Sequence, residues 1–329
     1  MSKVLITGSS GQIGTNLGIR LLADGHAVSG LDIRRNTWTD DIMTTARDLT
    51  APFLGVPHNG AGVVVHLAAH AKVHELVERP GKAMDNITMT FNVLEYCRKF
   101  GLPIIYASSR EVYGDIQRFL TEESYADFNY AESPYSASKL AGEALVYSYA
   151  RCYGLRYLVF RFSNVYGRYD NDLDRMERVI PLFIRKIAAG EPITVYGAKK
   201  TLDFTYVDDC VSGIVAGIDL LQSGAAVNET VNLAYGQGAT LAAMAYMIGD
   251  ELGKTPRMTI EDSRPGEVTH YVANIGKARA LLGYEPRIPL REGIRRAIEW
   301  QHEYNGTGAD TAGVTGSVGH HPIPQGAGR

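Results

Sequence analysis

Short runs of apolar residues alternate along the first half of the chain with longer segments whose apolar positions recur every three or four residues. The short runs predict strands near residues 4–7, 27–32, 63–67, 103–107 and 157–162. The longer segments predict helices near 12–24, 82–100 and 134–153. Strands that alternate with helices in this way are typical of an α/β fold, in which helices cover both faces of a parallel sheet.

The pattern becomes less regular beyond Val165, where prolines separate shorter helical segments. Apolar runs at 204–207 and 230–233 predict two further strands of the main sheet. The remaining residues then form a second, smaller lobe that is discontinuous in sequence. Residues 305–329 are rich in glycine, threonine and alanine. They predict a disordered tail, because so little apolar surface cannot offset the entropy of ordering.

Composition narrows the class of protein. The chain has 329 residues, a hydrophobic fraction of 45% and a formal net charge of -3, so it can bury a large core and has no overall attraction for nucleic acid. No run reaches the roughly 20 apolar residues of a membrane helix, and we expect a soluble cytoplasmic protein. The three cysteines lack disulfide or metal-ligand spacing and predict buried thiols and no metal site.

Three glycines follow the first predicted strand and open the first predicted helix. Gly8, Gly11 and Gly14 lie in ITGSSGQIG, where glycine lets the backbone turn tightly and approach a pyrophosphate at the helix N-terminus. Asp32 ends the second strand 18 residues after Gly14, where a carboxylate can hold the adenosine ribose. The sequence therefore predicts a dinucleotide site on a Rossmann-type, doubly wound parallel sheet.

The same residues bear on the choice of dinucleotide. Asp32 repels a ribose phosphate and so favours NAD over NADP, although Arg34 and Arg35 follow closely and could reverse that preference. Asp48 is placed to hydrogen-bond the adenine. The segment HLAA at 66–69 is expected to run beneath the dinucleotide.

A tyrosine and a lysine stand four residues apart in SPYSASK. Ser133 can cap the helix that begins at Pro134, which puts Tyr135 at the helix entrance and Lys139 one turn later on the same face. A free tyrosine has a pKa of about 10, so it becomes a base near neutral pH only where positive charge favours its phenolate. Lys139 and an oxidised nicotinamide can supply that charge. The pair predicts a redox site in which Tyr135 transfers a proton.

The motifs GSSGQIG, HLAA, SSREVYG, YSASK, RFSNVYG, LDFTYVDD and RPGE occur in this order across roughly residues 3–301. With them the chain resembles the extended short-chain dehydrogenases/reductases of the sugar-nucleotide epimerase/dehydratase family, similar to UDP-glucose 4-epimerase-like proteins. The resemblance implies an NAD-binding domain at 1–166, with returning segments near 202–236. It also implies a discontinuous α/β substrate-binding lobe at 167–201 and 237–304.

The resemblance also implies roles for individual residues. The catalytic residues are Tyr135, Lys139, Ser109, which hydrogen-bonds the developing carbonyl oxygen, and Glu111. Residues implied to bind the cofactor are Gly8, Gly11, Gln12, Ile13, Gly14, Asp32, Arg34, Asp48, Leu49, Leu67, Ala68, Ala69, Tyr135 and Lys139. Those implied to bind the substrate are Ser109, Arg110, Tyr135, Asn164 and Arg264.

Three positions depart from the family pattern. Epimerases of the family usually have small residues where this chain has Arg110 and Glu111, whereas dehydratases and decarboxylases often have an acidic residue at the Glu111 position. Arg110 stands where 4,6-dehydratases commonly have an aspartate, and it cannot donate a proton because it stays charged. Leu202 stands where decarboxylases of the family commonly have an arginine, which argues against decarboxylation and leaves open which cation neutralises the substrate diphosphate. Arg168, Lys199 and Lys200 are candidates.

The sequence as a whole predicts an NAD-dependent sugar-nucleotide 4-epimerase that acts on a UDP-sugar through a transient 4-keto sugar. One alternative is a sugar-nucleotide dehydratase that uses Glu111 as a base. Another is an NAD-sensing or scaffold protein on the same fold. By resemblance, the helices near 82–100 and 134–153 are expected to pair across a homodimer interface.

Overall fold

Alternating strands and helices run through the computed structural model, which describes residues 3–52, 60–115, 118–170, 178–197, 199–225 and 227–311, the last seven without their side chains. The strands are β1 Lys3–Thr7, β2 Ala27–Asp32, β3 Thr44–Ala46, β4 Ala61–His66, β5 Ile104–Ser109, β6 Tyr157–Phe162, β7 Asn164–Tyr166, β8 Ile193–Tyr196, β9 Thr201–Tyr206, β10 Asn228–Leu233, β11 Gly238–Thr240, β12 Met258–Glu261 and β13 His270–Tyr271. The α-helices are α1 Gln12–Ala23, α2 Val73–Glu78, α3 Gly81–Phe100, α4 Pro134–Tyr153, α5 Val179–Ala189, α6 Val207–Gln222, α7 Leu241–Leu252, α8 Gly276–Leu282 and α9 Leu290–Thr311.

Seven parallel strands form the main sheet, in the order β10-β6-β5-β4-β1-β2-β3. The strand order reverses between β1 and β4, which is where a doubly wound sheet opens a crevice at the carboxyl ends of its strands. This is the Rossmann-type fold predicted from the sequence, and the first five predicted strands and the three predicted helices are all present.

Both faces of the main sheet are buried, which explains why its strands are continuously apolar. Val4 and Ile6 of β1 belong to the core beneath α1 and α6, whereas Leu5 belongs to the core beneath α3 and α4. Side chains alternate between the two faces of a strand, so a strand that is covered on both sides needs apolar residues at every position.

A smaller sheet and a strand pair complete the fold. Strand β9 pairs with β7 and β13 in parallel and with β11 in antiparallel register, while β8 pairs with β12. The strand predicted at 204–207 therefore exists as part of β9, but its assignment to the main sheet was wrong. The run at 230–233 does join the main sheet, as the edge strand β10. Sequence periodicity identified both strands but does not say which partner a strand takes.

The structure corrects two further predictions, one about the cysteines and one about the C-terminal segment. Cys97 and Cys210 are buried, but Cys152 near the end of α4 is exposed, which corrects the prediction of three buried thiols. Helix α9 continues to Thr311, so the first seven residues of the predicted disordered tail are helical. The rest of that segment lies outside the described residues.

The part of the chain that the structure describes has neither a membrane-spanning helix nor a group of side chains that could bind a metal ion. None of its helices combines the length and the apolar composition that crossing a membrane requires. Its His, Cys, Asp and Glu side chains form no group of three or more that could hold a metal ion.

Candidate active site at the carboxyl ends of the strands

A cleft of about 840 Å³ opens where the carboxyl ends of β1, β4, β5 and β6 meet. It is lined by every residue to which the family resemblance gave a role in catalysis, cofactor binding or substrate binding: Gly8, Gly11, Gln12, Ile13, Gly14, Asp32, Arg34, Asp48, Leu49, Leu67, Ala68, Ala69, Ser109, Arg110, Glu111, Tyr135, Lys139, Asn164 and Arg264. Residues that are up to 256 positions apart in sequence are thus gathered in one cavity.

The glycine turn at the end of β1 leaves no room for larger residues at two of its positions. Gly8 has φ +75°, and a Cβ there would lie 2.7 Å from the backbone nitrogen of Ala68. A Cβ on Gly14 would lie 2.2 Å from the Gly8 carbonyl oxygen. At Gly11 the nearest atom to an added Cβ is 3.4 Å away, so this position faces the cleft rather than the protein. The turn therefore brings bare backbone to the place where a pyrophosphate binds.

Helix α1 begins directly after this turn, and its first residue carries an unused donor. Gln12 is buried, and its Nε2 has no hydrogen-bond partner among the described residues. The N-terminus of a helix offers free amide groups and the positive end of the helix dipole to an anion. Backbone, dipole and unpaired amide together fit a dinucleotide diphosphate.

Asp32, at the end of β2, is held in place by the glycine turn. Its carboxylate accepts hydrogen bonds from the backbone nitrogens of Ser10 at 3.0 Å and Arg34 at 3.2 Å. The Arg34 guanidinium folds back and donates to the Ser10 carbonyl oxygen at 3.1 Å. A carboxylate so fixed can accept hydrogen bonds from two ribose hydroxyls but opposes a ribose phosphate, so this end of the cleft fits NAD rather than NADP.

Asp48 and the segment that follows β4 also line the cleft. Asp48 accepts hydrogen bonds from the nitrogen and hydroxyl of Thr50 at 2.8 and 2.7 Å, and these bonds hold the pKa of Asp48 below its usual value. It therefore lines the cleft as an ionised acceptor. Leu67, Ala68 and Ala69 follow β4 and present apolar side chains to the cleft.

Tyr135 is placed by the cap of α4. The Ser133 hydroxyl accepts a hydrogen bond from the Ser136 nitrogen at 3.1 Å, and the Ser136 hydroxyl accepts one from the Ser133 nitrogen at 2.9 Å. This capping box, with Pro134 at the first helical position, fixes the direction in which the helix starts. Tyr135 is buried and lies close enough to Ser109, at the end of β5, for the Ser109 hydroxyl to act on its pKa.

Lys139 follows one turn later and is anchored to β5. Its Nζ donates to the Ala107 carbonyl oxygen at 2.7 Å and lies 5.8 Å from the centroid of the Tyr135 ring. Helix α4 and strand β5 thus bring Ser109, Tyr135 and Lys139 together, as the sequence predicted.

The sequence predicted that Lys139 lowers the pKa of Tyr135, and the structure shows the opposite shift. Burial raises the pKa of Tyr135 to about 12, and the Ser109 hydrogen bond opposes the rise. Burial also lowers the pKa of Lys139 to about 8. Desolvation dominates in both groups because each is removed from water on all sides. The protein's own charges therefore do not produce the phenolate at neutral pH.

Arg110 and Glu111 form a short 3-10 helix directly after Ser109. Arg110 Nη2 lies 2.8 Å from Glu111 Oε1, in an ion pair that is almost fully buried. Within the described residues, Arg110 Nη1 and Glu111 Oε2 are buried without hydrogen-bond partners. Burial raises the pKa of Glu111, while the neighbouring Arg110 and Lys200 charges lower it. The residue pair that departs from the family pattern thus lies inside the cleft.

The cations proposed to compensate for Leu202 lie elsewhere. Arg168 is exposed, pairs with Asp208 and does not line the cleft, and Lys199 is also outside the lining. Lys200 is likewise outside the lining, and its Nζ is bound to Glu267 Oε2 at 2.8 Å. None of the three lines the cleft in which a diphosphate would bind.

Arg178 lines the cleft, and the sequence analysis missed it. It caps the start of α5, where its Nε lies 3.0 Å from Asp170 Oδ1 and its Nη1 donates to Gln12 Oε1. Arg264, which the resemblance did suggest, lies 4.0 Å over the ring of Tyr196 and also lines the cleft. No local motif distinguishes Arg178 from the charged residues before it. Only its contact with Gln12, across 166 residues, reveals its place.

Comparisons with known proteins agree with this geometry. Residues 4–234 match the model of the NAD dependent epimerase/dehydratase family. The chain is 31% identical to a putative UDP-glucose 4-epimerase of Methanocaldococcus jannaschii, over 92% of this chain and 100% of the relative. It is 30% identical to a UDP-glucuronate 4-epimerase of Thermodesulfobacterium geofontis, over 92% of this chain and 97% of the relative.

A solved structure provides the same match in three dimensions. The UDP-glucose 4-epimerase of Thermus thermophilus, solved as a complex with NAD, superposes with a TM-score of 0.80 at 28% identity, over 91% of this chain and 99% of that chain. The chain therefore belongs to the NAD dependent epimerase/dehydratase family, and NAD is its cofactor.

Proposed function

We propose that the protein is a 4-epimerase of a sugar nucleotide, with a UDP-sugar as its substrate. The observation that carries the proposal is that Ser109, Tyr135 and Lys139 line the same cleft as the glycine turn, with the Ser109 hydroxyl close enough to Tyr135 to act on its pKa. The names of the relatives, which are epimerases of UDP-sugars, support the choice of substrate.

Each of the three polar side chains has a defined task in this reaction. When bound, NAD would accept the hydride of carbon 4, and its oxidised ring would add a positive charge to the site. Tyr135 Oη takes the proton of the 4-hydroxyl as the carbon–oxygen bond becomes a carbonyl, and it returns that proton when the alcohol forms again with the opposite configuration. Ser109 donates a hydrogen bond to the carbonyl oxygen. Lys139, held by Ala107, binds the nicotinamide ribose.

The substrate diphosphate is held by Arg178 and Arg264. Both residues line the cleft, and an arginine fork can donate two parallel charge-assisted hydrogen bonds to a phosphate. Asn164 also lines the cleft, with its amide nitrogen bonded to the Asp203 carbonyl oxygen at 2.9 Å. These residues take the place of the arginine that is missing at position 202, where this chain has Leu202.

Glu111 supports a second candidate reaction, dehydration of the sugar. A buried carboxylate next to Ser109 can remove a proton from a carbon beside the ketone. Its partner Arg110 stays charged, however, and cannot give a proton to a departing hydroxyl. The epimerase is therefore the better account of the site.

One experiment separates these reactions. The purified protein is incubated with a panel of nucleotide sugars in heavy water, and the products are analysed by mass spectrometry and NMR. A 4-epimerase gives a product of unchanged mass without deuterium on carbon, because the same hydride returns to carbon 4. A dehydratase product has lost water and taken up deuterium. Binding of NAD with no turnover of any nucleotide sugar would contradict both reactions.

A homodimer through α3 and α4, in the cytoplasm, completes the proposal. Met84 and Phe91 on α3 and Tyr153 on α4 are exposed, and an interface between two copies would bury such side chains. Sedimentation equilibrium at micromolar concentration should give the mass of two chains, and a monomer there contradicts the proposed dimer. Cell fractionation checks the location.

A further inference from the structure

We propose that Arg110 and Glu111 together hold the 6-hydroxyl of a neutral hexose and exclude a sugar acid with a carboxylate at carbon 6. The inference rests on the proposed function and adds the substrate class to it. It starts from the ion pair that the chain has where epimerases of the family usually have small residues.

The pair has one unused donor and one unused acceptor. Arg110 Nη2 and Glu111 Oε1 are bound to each other at 2.8 Å, and this leaves Arg110 Nη1 and Glu111 Oε2. Both atoms are buried, and neither has a hydrogen-bond partner within the described part of the chain. Buried polar atoms are seldom left unpaired, because each costs the free energy of its lost hydration. A ligand group in the cleft is the expected partner.

The pair directly follows Ser109 and lines the same cleft as Tyr135. Charges that act on Glu111 include Lys200, which precedes β9, and Glu267, which precedes β13 and lines the same cleft. Arg110 and Glu111 also act on Tyr135. In the proposed function Ser109 and Tyr135 meet the oxygen on carbon 4, so the pair is placed to reach a hydroxyl group near carbon 4. The 6-hydroxyl is the group that distinguishes a neutral hexose from a sugar acid.

A hydroxyl group matches what the pair offers. It accepts one hydrogen bond, from Arg110 Nη1, and donates one, to Glu111 Oε2. A carboxylate matches poorly, because it only accepts hydrogen bonds and its charge repels that of Glu111. The four charged side chains here, Arg110, Glu111, Lys200 and Glu267, already balance as two ion pairs. A carboxylate would add an unpaired buried charge to them.

The chemistry of arginine also decides what happens to the hydroxyl. Expelling it as water requires a proton donor, and the guanidinium does not release a proton near neutral pH. The pair therefore binds the 6-hydroxyl and keeps it on the sugar. This differs from what the name of the Thermodesulfobacterium geofontis relative implies, since that protein acts on UDP-glucuronate.

Binding to the Tyr135→Phe protein loaded with NAD tests the inference without turnover. Isothermal titration calorimetry compares UDP-glucose, UDP-6-deoxyglucose and UDP-glucuronate, which differ only at carbon 6. We expect UDP-glucose to bind about tenfold or more tightly than each of the others, because each leaves a buried polar group unpaired or adds a charge. Equal or tighter binding of UDP-glucuronate or of UDP-6-deoxyglucose would overturn the inference.

The variant Glu111→Gln in the same background isolates the carboxylate. The amide removes the negative charge and can donate to an acid, so the preference for UDP-glucose over UDP-glucuronate should fall to about threefold or less. The control is Glu285→Gln, which removes the acidic partner of the exposed Arg279 on α8 and should leave the preference unchanged. An equal change in both variants argues against the inference. If Glu111→Gln fails to fold, the comparison of three ligands on Tyr135→Phe still decides.

Failure of the proposed function has a different signature. If none of the three nucleotide sugars binds to the NAD-loaded protein, the proposed function fails and the inference fails with it. If all three bind but the acid binds best, only the inference fails.

Discussion

The two sides of the cleft recognise their ligands by different means. The cofactor side is built from backbone and small residues, with Gly8 and Gly14 packed so closely that a Cβ would meet neighbouring main-chain atoms. The substrate side is bordered by ion pairs, Arg110 with Glu111, Lys200 with Glu267 and Arg178 with Asp170. The cofactor side therefore selects mainly by shape, with the Asp32 carboxylate as a fixed charge, whereas the substrate side selects by charges that are already paired.

This difference predicts how each side responds to substitution. A larger residue on the cofactor side displaces backbone, and no side chain can move to relieve it. Removal of one partner on the substrate side leaves the other charge unpaired in a poorly hydrated site. Tyr135 lies between the cofactor side and the substrate side. A substitution that removes its proton transfer should therefore leave the binding of NAD and of the nucleotide sugar unchanged.

The largest effect is therefore expected from Tyr135→Phe. We expect turnover to fall by about a hundredfold to ten-thousandfold, because general acid–base catalysis contributes on that scale, while NAD and nucleotide-sugar affinities change little. Steady-state kinetics and calorimetry on the same preparation provide the measurement. Tyr246→Phe at an exposed position of α7 is the matched control and should be fully active. Residual activity near that of the control would remove Tyr135 from the mechanism.

On the cofactor side the sharpest test is Gly14→Ala. Its Cβ would approach the Gly8 carbonyl oxygen to 2.2 Å, so the turn must shift, and we expect NAD affinity to fall by about ten- to a hundredfold. Fluorescence titration with NAD measures the loss.

Gly81→Ala serves as the control for adding a methyl group. Gly81 opens α3, and a Cβ there has nothing within 4 Å. NAD affinity should stay the same, and alanine should if anything stabilise the helix. If both variants bind NAD like the unchanged protein, the shape of the glycine turn is not what holds the cofactor.

The two sides also differ in how far the sequence could predict them. The cofactor side follows from local rules: a strand, a glycine turn, a helix start, and a carboxylate at the end of the next strand. These rules bring Gly8 and Asp32 to one site, and the structure has both in the lining of one cleft, while their contacts with NAD stay a prediction. The capping box that orients Tyr135 is likewise local, since Ser133 and Ser136 are three residues apart. In both cases the geometry is set by contacts between residues that are close in sequence.

On the substrate side the decisive partners are distant in sequence. Arg178 meets Gln12 across 166 residues, and Lys200 meets Glu267 across 67 residues. An isolated charge in a sequence does not show whether it is exposed, like Arg168, or paired inside a cleft. The same limit explains why β9 was assigned to the wrong sheet and why the raised pKa of Tyr135 was not foreseen, since burial depends on the whole fold.

A smaller effect is expected from Arg178→Gln. Loss of one arginine that binds the diphosphate should raise KM for the nucleotide sugar by about tenfold, with kcat changed much less, because a charge-assisted hydrogen bond contributes about 1.5–3 kcal/mol to binding. Arg168→Gln is the control, since Arg168 is exposed and lies outside the cleft. An unchanged KM in Arg178→Gln would leave Arg264 as the principal diphosphate ligand and weaken the contrast between the two sides.

The smallest effect concerns His66, a buried histidine at the end of β4, directly beneath the cofactor wall. Its Nδ1 is hydrogen-bonded to Thr7 Oγ1 at 2.7 Å, and burial, helped by the Lys139 charge, lowers its pKa from 6.5 to about 3. The folded protein therefore keeps His66 neutral where the unfolded chain binds a proton. The resulting stability is complete above pH 6.5 and is lost as the pH falls toward 3. Between pH 7 and pH 6 this linkage costs about 0.7 kcal/mol of unfolding free energy.

Urea unfolding of the protein and of His66→Gln at the two pH values measures it, because the difference in pH slope cancels the titration of the other groups. Parallel slopes would mean that His66 takes up its proton in the folded state, so that this side of the cleft also accommodates charge.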